Sequence, residues 1–310
     1  MIRTRHVEDF FDVSERDVDD VKRMICEDDA KLQHLEELLR VWIESQPHFP
    51  KNYDRGMMRN FLRGAKFSLE TAKRKLEGYF WAKVAYPNFY QRRVPGDVKT
   101  AQIVNVVRLP RLTEAGEKIC VVGLACNDPD GAEFDMVAAI RLFWMLFDLS
   151  LTCAFPTSGE ILVFDAASAS ARVIAQLLTP AFKNSISVLR HAYAIRITEV
   201  HVINCPSVAE KTVAAIRPLL PEKLKQRFTI HKDLGSLKEH LRPELLPSDY
   251  GGTLDSLKSY MERWTDILQE NADWFEEQES VKIVGKPPNK VNCFTSDIGV
   301  DGSFRQLNID

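Results

Sequence analysis

A change of period near Val98 constrains this chain more than any single motif. Beyond it, short β-branched runs recur: QIVNVVRL (102–109), KICVVGLA (118–125), EILVFDA (160–166) and EVHVINC (199–205). Each is bounded by Gly, Pro, Asn or Asp, as strands are. Between them lie stretches of helical period at 135–151, at 170–190 with a break near Pro180, and at 207–219. Strands alternating with helices predict an α/β fold, a mostly parallel sheet flanked by helices. The runs at 118–125 and 161–164 are continuously apolar, as strands buried on both faces are.

The first hundred residues read as helical. Val18, Val21, Ile25, Leu32, Leu35, Leu38, Leu39 and Trp42 follow a period near 3.6 over residues 15–45, with a break expected at Asp28, Asp29 and Ala30. Gln46-Pro47 ends the stretch, because proline disfavours helix at the residue before it. A short helix fits 54–64, and Ser68 is an N-cap for a third that stops before Pro87. A last helix is expected over 254–275, followed by a Pro/Gly/polar tail.

A formal charge of -3 hides local imbalance. Residues 55–93 hold ten Lys/Arg and two acids, a balance of +8, whereas 265–281 hold six acids and no Lys/Arg. A basic segment in a near-neutral protein suggests an anionic partner, or an acidic segment folded back on it. No run of about 18 apolar residues is present, and the acidic N-terminus reads as no leader. The six cysteines are scattered, and Cys120 and Cys126 lack metal-ligand spacing, so reduced, mostly buried thiols and no metal are expected.

Catalytic signatures are missing. GEKIC (116–120) lacks the first glycine and the Ser/Thr of a phosphate loop, no GxGxxG follows a strand, and SAS (168–170) lacks the glycines of a nucleophile elbow. His191 and His201 read as structural histidines, and Asp165 as a cap rather than a base. The protein is expected not to be an enzyme and to need no cofactor. Phe143, Phe147 and Leu151 recur at i, i+4, i+8, with Trp144, Leu146 and Leu149 on other faces. A helix apolar all round is buried. The pattern fits a core helix and equally a helix lining an apolar cavity. PSVAEKTVAAIRPLL (206–220) carries an apolar stripe of Val208, Val213, Ile216 and Leu220 between two prolines, either an ordinary amphipathic helix or one able to move as a unit.

Four fragments together resemble the CRAL-TRIO (Sec14-like) lipid-binding family, nearest its tocopherol- and retinaldehyde-transfer branch and its arthropod members. They are MMRNFLRGAKFSLETAKRKLEGYF (57–80), EILVFDA (160–166), YAIRITEVHVINCPSVAEKTVAAIRPLLPEKLKQRFTIH (193–231) and LLPSDYGGT (245–253), and with their surroundings they span about residues 15–275. Ser168, Ala194, Ala65 and Asp249 depart from the family pattern. The resemblance implies a helical N-terminal module (1–94), a CRAL-TRIO lipid-binding domain (95–255) and a C-terminal helix with an extended tail (256–310).

Carried over position by position, the resemblance implies a pocket of Phe143, Phe147, Leu151, Phe164, Ala169, Ala171, Ser185, Val188, Leu189, Ile195, Ile197 and Val200. The gate would be 206–219, carrying Val208, Val213 and Ile216, with Leu220 immediately after it completing its apolar stripe. Phosphoinositide would meet Arg196, Lys223, Lys225 and Arg227, with Arg63 in a weaker position. Ser185 is the one hydroxyl in that pocket, so the expected ligand is isoprenoid-like (a tocopherol, retinoid or carotenoid) rather than a phospholipid. Burying several hundred Å² at roughly 25 cal/mol per Å² is worth several kcal/mol before the costs of binding. Read as a helix, 217–231 puts Lys223 and Arg227 on one face and Lys225 well away from both. A cytoplasmic monomer is expected, touching phosphoinositide-containing membranes transiently and binding no nucleic acid. The alternatives are a lipid-sensing adaptor without net transfer and a phosphatidylinositol or phospholipid transfer protein.

Overall fold

The computed structural model describes residues 3–93, 103–124, 131–205, 217, 220 and 222–285. The N-terminal third is helical: α1 (Glu15–Met24), α2 (Asp29–Ser45), α3 (Arg55–Gly64), α4 (Leu69–Ala85) and the single turn α5 (Pro87–Tyr90). Caps set most of these boundaries. Ser14 and Asp17 form a reciprocal capping box. Asp28, Asp54 and Ser68 accept from Lys31 N, Gly56 N and Thr71 N. The break in the long periodic stretch falls just before Asp28, where Cys26 adopts a φ of 56°.

The sheet follows: β1 (Val104–Arg108), β2 (Glu117–Leu124), β3 (Gly159–Asp165), β4 (Ile197–Ile203) and β5 (Phe228–Ile230). Among the described residues the strands lie in the order β1-β2-β3-β4-β5. β1 and β2 pair antiparallel and the remaining pairs are parallel. Between them run α6 (Met136–Ser150), α7 (Ala171–Gln176), α8 (Pro180–His191) and α9 (Glu222–Lys225). α7 and α8 realise the break expected near Pro180. After β5 come α10 (Leu234–Lys238), α11 (Leu257–Glu270) and α12 (Ala272–Ser280).

Two expectations are corrected. The final helix is two helices, because Asn271 turns inward: its side chain accepts from Arg5 N and donates to Arg5 O and Ile267 O. Residues 217–231 are not one helix. α9 ends at Lys225, and Phe228 opens β5 beside Val200. Arg227 therefore shares no helical face with Lys223. The alternation of Phe228 and Ile230 with polar neighbours was a strand signal within a run that also fitted a helix.

The core is continuous from the helical module to the sheet. Gly64 shows how closely the two meet: a Cβ there would lie 1.5 Å from the Ala194 carbonyl oxygen. The N-terminal segment docks on α11 through Phe10, whose ring centroid lies 4.5 Å from that of Trp264. Four of the ten basic side chains of this stretch are paired internally, Arg59 with Glu36, Arg63 with Glu27, Lys73 with Glu70 and Arg93 with Asp148. The acidic C-terminal segment also folds back, with Glu279 accepting from Arg92 N at 2.6 Å.

Candidate functional site

Register fixes which side chains share a face. Arg108, Cys120, Leu162, Val200 and Phe228 line up across all five strands. Glu160 and Phe164, two residues either way from Leu162, project to the same side. Ile197 and Val200 are three apart and would face opposite ways in a regular strand. A register shift between Glu160 and Ile161 pairs Ile197 with Glu160, so Ile197 joins Phe164 and Val200. α6 covers this face. The Arg108 guanidinium lies 4.1 Å from the Phe147 ring centroid, and Phe147 stacks on Phe143 at 4.3 Å.

Phe147 and Val188 are fully buried, and Leu151, Ile197 and Val200 nearly so. Phe143, Phe164, Ala169, Ser185, Leu189 and Ile195 are half-buried, while Ala171 is exposed. Ser187 Oγ, not named from the sequence, is buried without a hydrogen-bond partner among the described residues.

Phe147, Leu151 and Ile195 also line a small cleft with Arg63, Arg108, Lys118, Glu160 and Arg196. It encloses about 40 Å³, against roughly 300–1,000 Å³ for a ligand site. The cleft is too small for a lipid, and it sets three of the expected pocket residues beside charged side chains. Lys118 lies 4.8 and 4.5 Å from the Phe11 and Phe155 ring centroids, and burial pushes its ammonium down.

The predicted basic residues separate into engaged and available groups. Arg63 is nearly buried and reaches both Glu27 oxygens at 2.8 Å, Ala154 O at 2.6 Å and Asn60 Oδ1 at 3.2 Å. Lys225 pairs with Glu222 at 3.0 Å. Lys223 and Arg227 are exposed, and Arg196 is half-buried. Arg227 Nη1 donates to Ile197 O, which brings its guanidinium to the residue following Arg196. No ion pair is seen for Arg196, Lys223 or Arg227 among the described residues.

Sequence reasoning missed three buried ion pairs, that of Arg63 with Glu27 above and two more. Arg108 holds both oxygens of Glu160 at 3.0 and 3.1 Å. Arg93 Nη1 meets Asp148 Oδ2 at 2.5 Å, and Tyr193 OH donates to Asp148 Oδ1 at 2.6 Å. Asp148 was the available signal, since a lone carboxylate in an apolar helix requires a buried partner.

Three of the motif fragments converge at the end of β3. Asp165 Oδ1 accepts from Ala167 N and Asn204 Nδ2, each at 3.0 Å, and Oδ2 accepts from Tyr250 OH at 2.9 Å. Asp165 is a cap and a clasp. Beside it Gly251 has a φ of 68°, and a Cβ on Gly252 would lie 1.9 Å from Leu246 O.

A family model described as the CRAL/TRIO domain matches residues 105–252, and one described as the Pinta-like UBA domain matches residues 27–100. The chain carries a CRAL/TRIO domain, of a lipid-binding and lipid-transfer family. The alpha-tocopherol transfer protein-like protein of Homo sapiens is 27% identical over 79% of this chain and 70% of its own length. That of Mus musculus is 26% identical over 76% and 68%. Clavesin-2 of Rattus norvegicus is 25% identical over 77% and 73%. The solved structure of Sfh5 overlays with a TM-score of 0.48 at 14% identity, covering 78% of this chain and 91% of that one. The CRAL/TRIO match contains the whole face described above. Of the expected gate, Val208, Val213 and Ile216 lie outside the described residues, and Leu220 is buried. No helix among the described residues is long and apolar enough to cross a membrane.

Proposed function

We propose that this protein carries a hydrophobic, isoprenoid-like ligand and delivers it to or between membranes. The observation that carries the reading is the shared face of Phe164, Ile197 and Val200 under the aromatic side of α6. Burial of apolar ligand surface supplies the affinity, and no group need react. The names of the tocopherol transfer-like relatives support an isoprenoid cargo. In this reading residues 206–219 gate the pocket, and a phosphoinositide headgroup meets Arg196, Lys223 and Arg227 beside it. Arg63 and Lys225 contribute less, because Glu27 and Glu222 already hold them. This reading keeps the division at residues 94 and 255, six residues before the end of the 27–100 match and three after the end of the 105–252 match.

The test is movement of labelled tocopherol from donor to acceptor vesicles. Transfer should require the protein and should accelerate when acceptors contain phosphoinositide. Binding to vesicles with no net transfer would favour a lipid-sensing adaptor instead.

A further inference from the structure

Glu199 and His201 are two residues apart on β4, so they share one face. In register with Ile161 and Val163, they project to the side opposite Leu162, Phe164 and Val200. His240, beyond α10, reaches the same place. His201 Nε2 lies 2.8 Å and His240 Nδ1 3.8 Å from Glu199 Oε2, and the three atoms fall within 4.8 Å of one another. The His201 side chain is 1% exposed, whereas those of Glu199 and His240 are each 43% exposed.

One tautomer of His201 satisfies every contact in the hydrogen-bond chain behind it. Ser236 has one hydroxyl proton and donates it to Asp233 O at 2.8 Å. Its oxygen then accepts from His231 Nδ1–H at 3.0 Å. His231 Nε2 is left as the acceptor for His201 Nδ1–H at 2.9 Å. His201 Nε2 is consequently a bare lone pair, buried and without a hydrogen-bond partner, beside a carboxylate oxygen. A neutral imidazole nitrogen and a carboxylate both accept, so no hydrogen bond joins them. A cation held between them removes the conflict. A metal-bound histidine characteristically gives its other ring N–H to an acceptor that orients it. Here His231 is that acceptor, itself held by Ser236.

We infer that Glu199, His201 and His240 form a binding site for a divalent transition-metal ion, with zinc the best match. Two imidazoles and a carboxylate are a zinc donor set that leaves a fourth position for water. Donors about 2.0–2.1 Å from a tetrahedral ion stand about 3.4 Å apart, between the 2.8 and 3.8 Å observed. A small rotation of the partly exposed His240 brings its nitrogen toward His201. The ion would tie β4 to the chain beyond α10, across the sheet from the proposed lipid pocket. Sequence spacing conceals the site, because its ligands come from a strand and a distant loop.

The test is calorimetric titration of Zn²⁺ into chelator-treated full-length protein, with Co²⁺ absorption as a second readout. One ion should bind per chain, and the Co²⁺ spectrum should lack thiolate charge transfer. Glu199→Gln and His240→Ala, both at partly exposed positions, should each weaken binding more than about 10-fold, and Ser236→Ala by about 10-fold. Circular dichroism of each variant checks that the fold is kept. Absence of Zn²⁺ binding by the wild type would overturn the inference. Wild-type affinity in both folded ligand variants, or a thiolate signature in the Co²⁺ spectrum, would do the same.

Discussion

Asp148 and Lys83 place charge inside the core in opposite ways. Asp148 is matched by Arg93 and Tyr193, all three fully or nearly fully buried. Removing one partner strands the other, which typically costs about 3–5 kcal/mol. Asp148→Asn should therefore lower the urea midpoint markedly, and a wild-type midpoint would show that the pair contributes little. Among the described residues Lys83 has no acidic partner within ion-pair distance, only Gln278 O and Oε1 at 3.3 and 3.4 Å and the Tyr79 ring centroid at 4.6 Å. Burial pulls its ammonium from 10.5 down to about 7. Between those values the unfolded chain binds more protons, so this residue makes stability rise with pH from about 7 to about 10. Lys83→Met should flatten that rise and raise the melting temperature at neutral pH. An unchanged pH profile would mean that Lys83 is charged and solvated.

At the scale of elements, close approach and register decide how the site is assembled. Gly64→Ala would drive a Cβ into Ala194 O. α3 would have to separate from the segment that leads through Arg196 into β4, and the expected result is a loss of more than about 2 kcal/mol in denaturant unfolding. An unaffected midpoint would mean the helical module sits more loosely than the geometry implies. The basic cluster yields a sharper contrast. Arg196→Ala/Arg227→Ala should remove most of the phosphoinositide-dependent vesicle binding, while Lys225→Ala should leave it nearly intact, since Lys225 is paired with Glu222. Equal losses in the two proteins would refute the division.

Much of this architecture was legible in the sequence. The start of α4 was readable from Ser68 because a side-chain cap is a local interaction, and the break at Asp28 and the helical stretches opening at residues 54 and 135 were readable from their period. Strands β2 and β3 were readable because continuous apolar runs mark burial on both faces. The register shift beside Ile161 was not, since it depends on pairing between strands. β5 was missed because its three residues, Phe228–Ile230, sit in a run that also fitted a helix, and so short an alternation did not decide between the two. The ion pairs of Arg108 and Arg93 were hidden for the same reason as the Glu199–His201–His240 cluster: their partners are distant in the chain.

For the whole molecule, one sheet separates two regions of different chemistry. One face carries Phe164, Ile197 and Val200 beneath α6, and the other carries Glu199 and His201. Arg196 and Ile197 end the segment that the helical module contacts, and β4 leads directly into the 206–219 region. Arg196, the strand residues Ile197 and Val200, the 206–219 region, and then Lys223 and Arg227 follow one another along one stretch of chain, an order that fits the proposed carrier. Native mass spectrometry of the protein extracted from its own tissue tests this account most directly. It predicts a bound isoprenoid-class molecule, displaced by added tocopherol or a related lipid. A phospholipid as the sole cargo, or no ligand in protein that also refuses tocopherol, would contradict it.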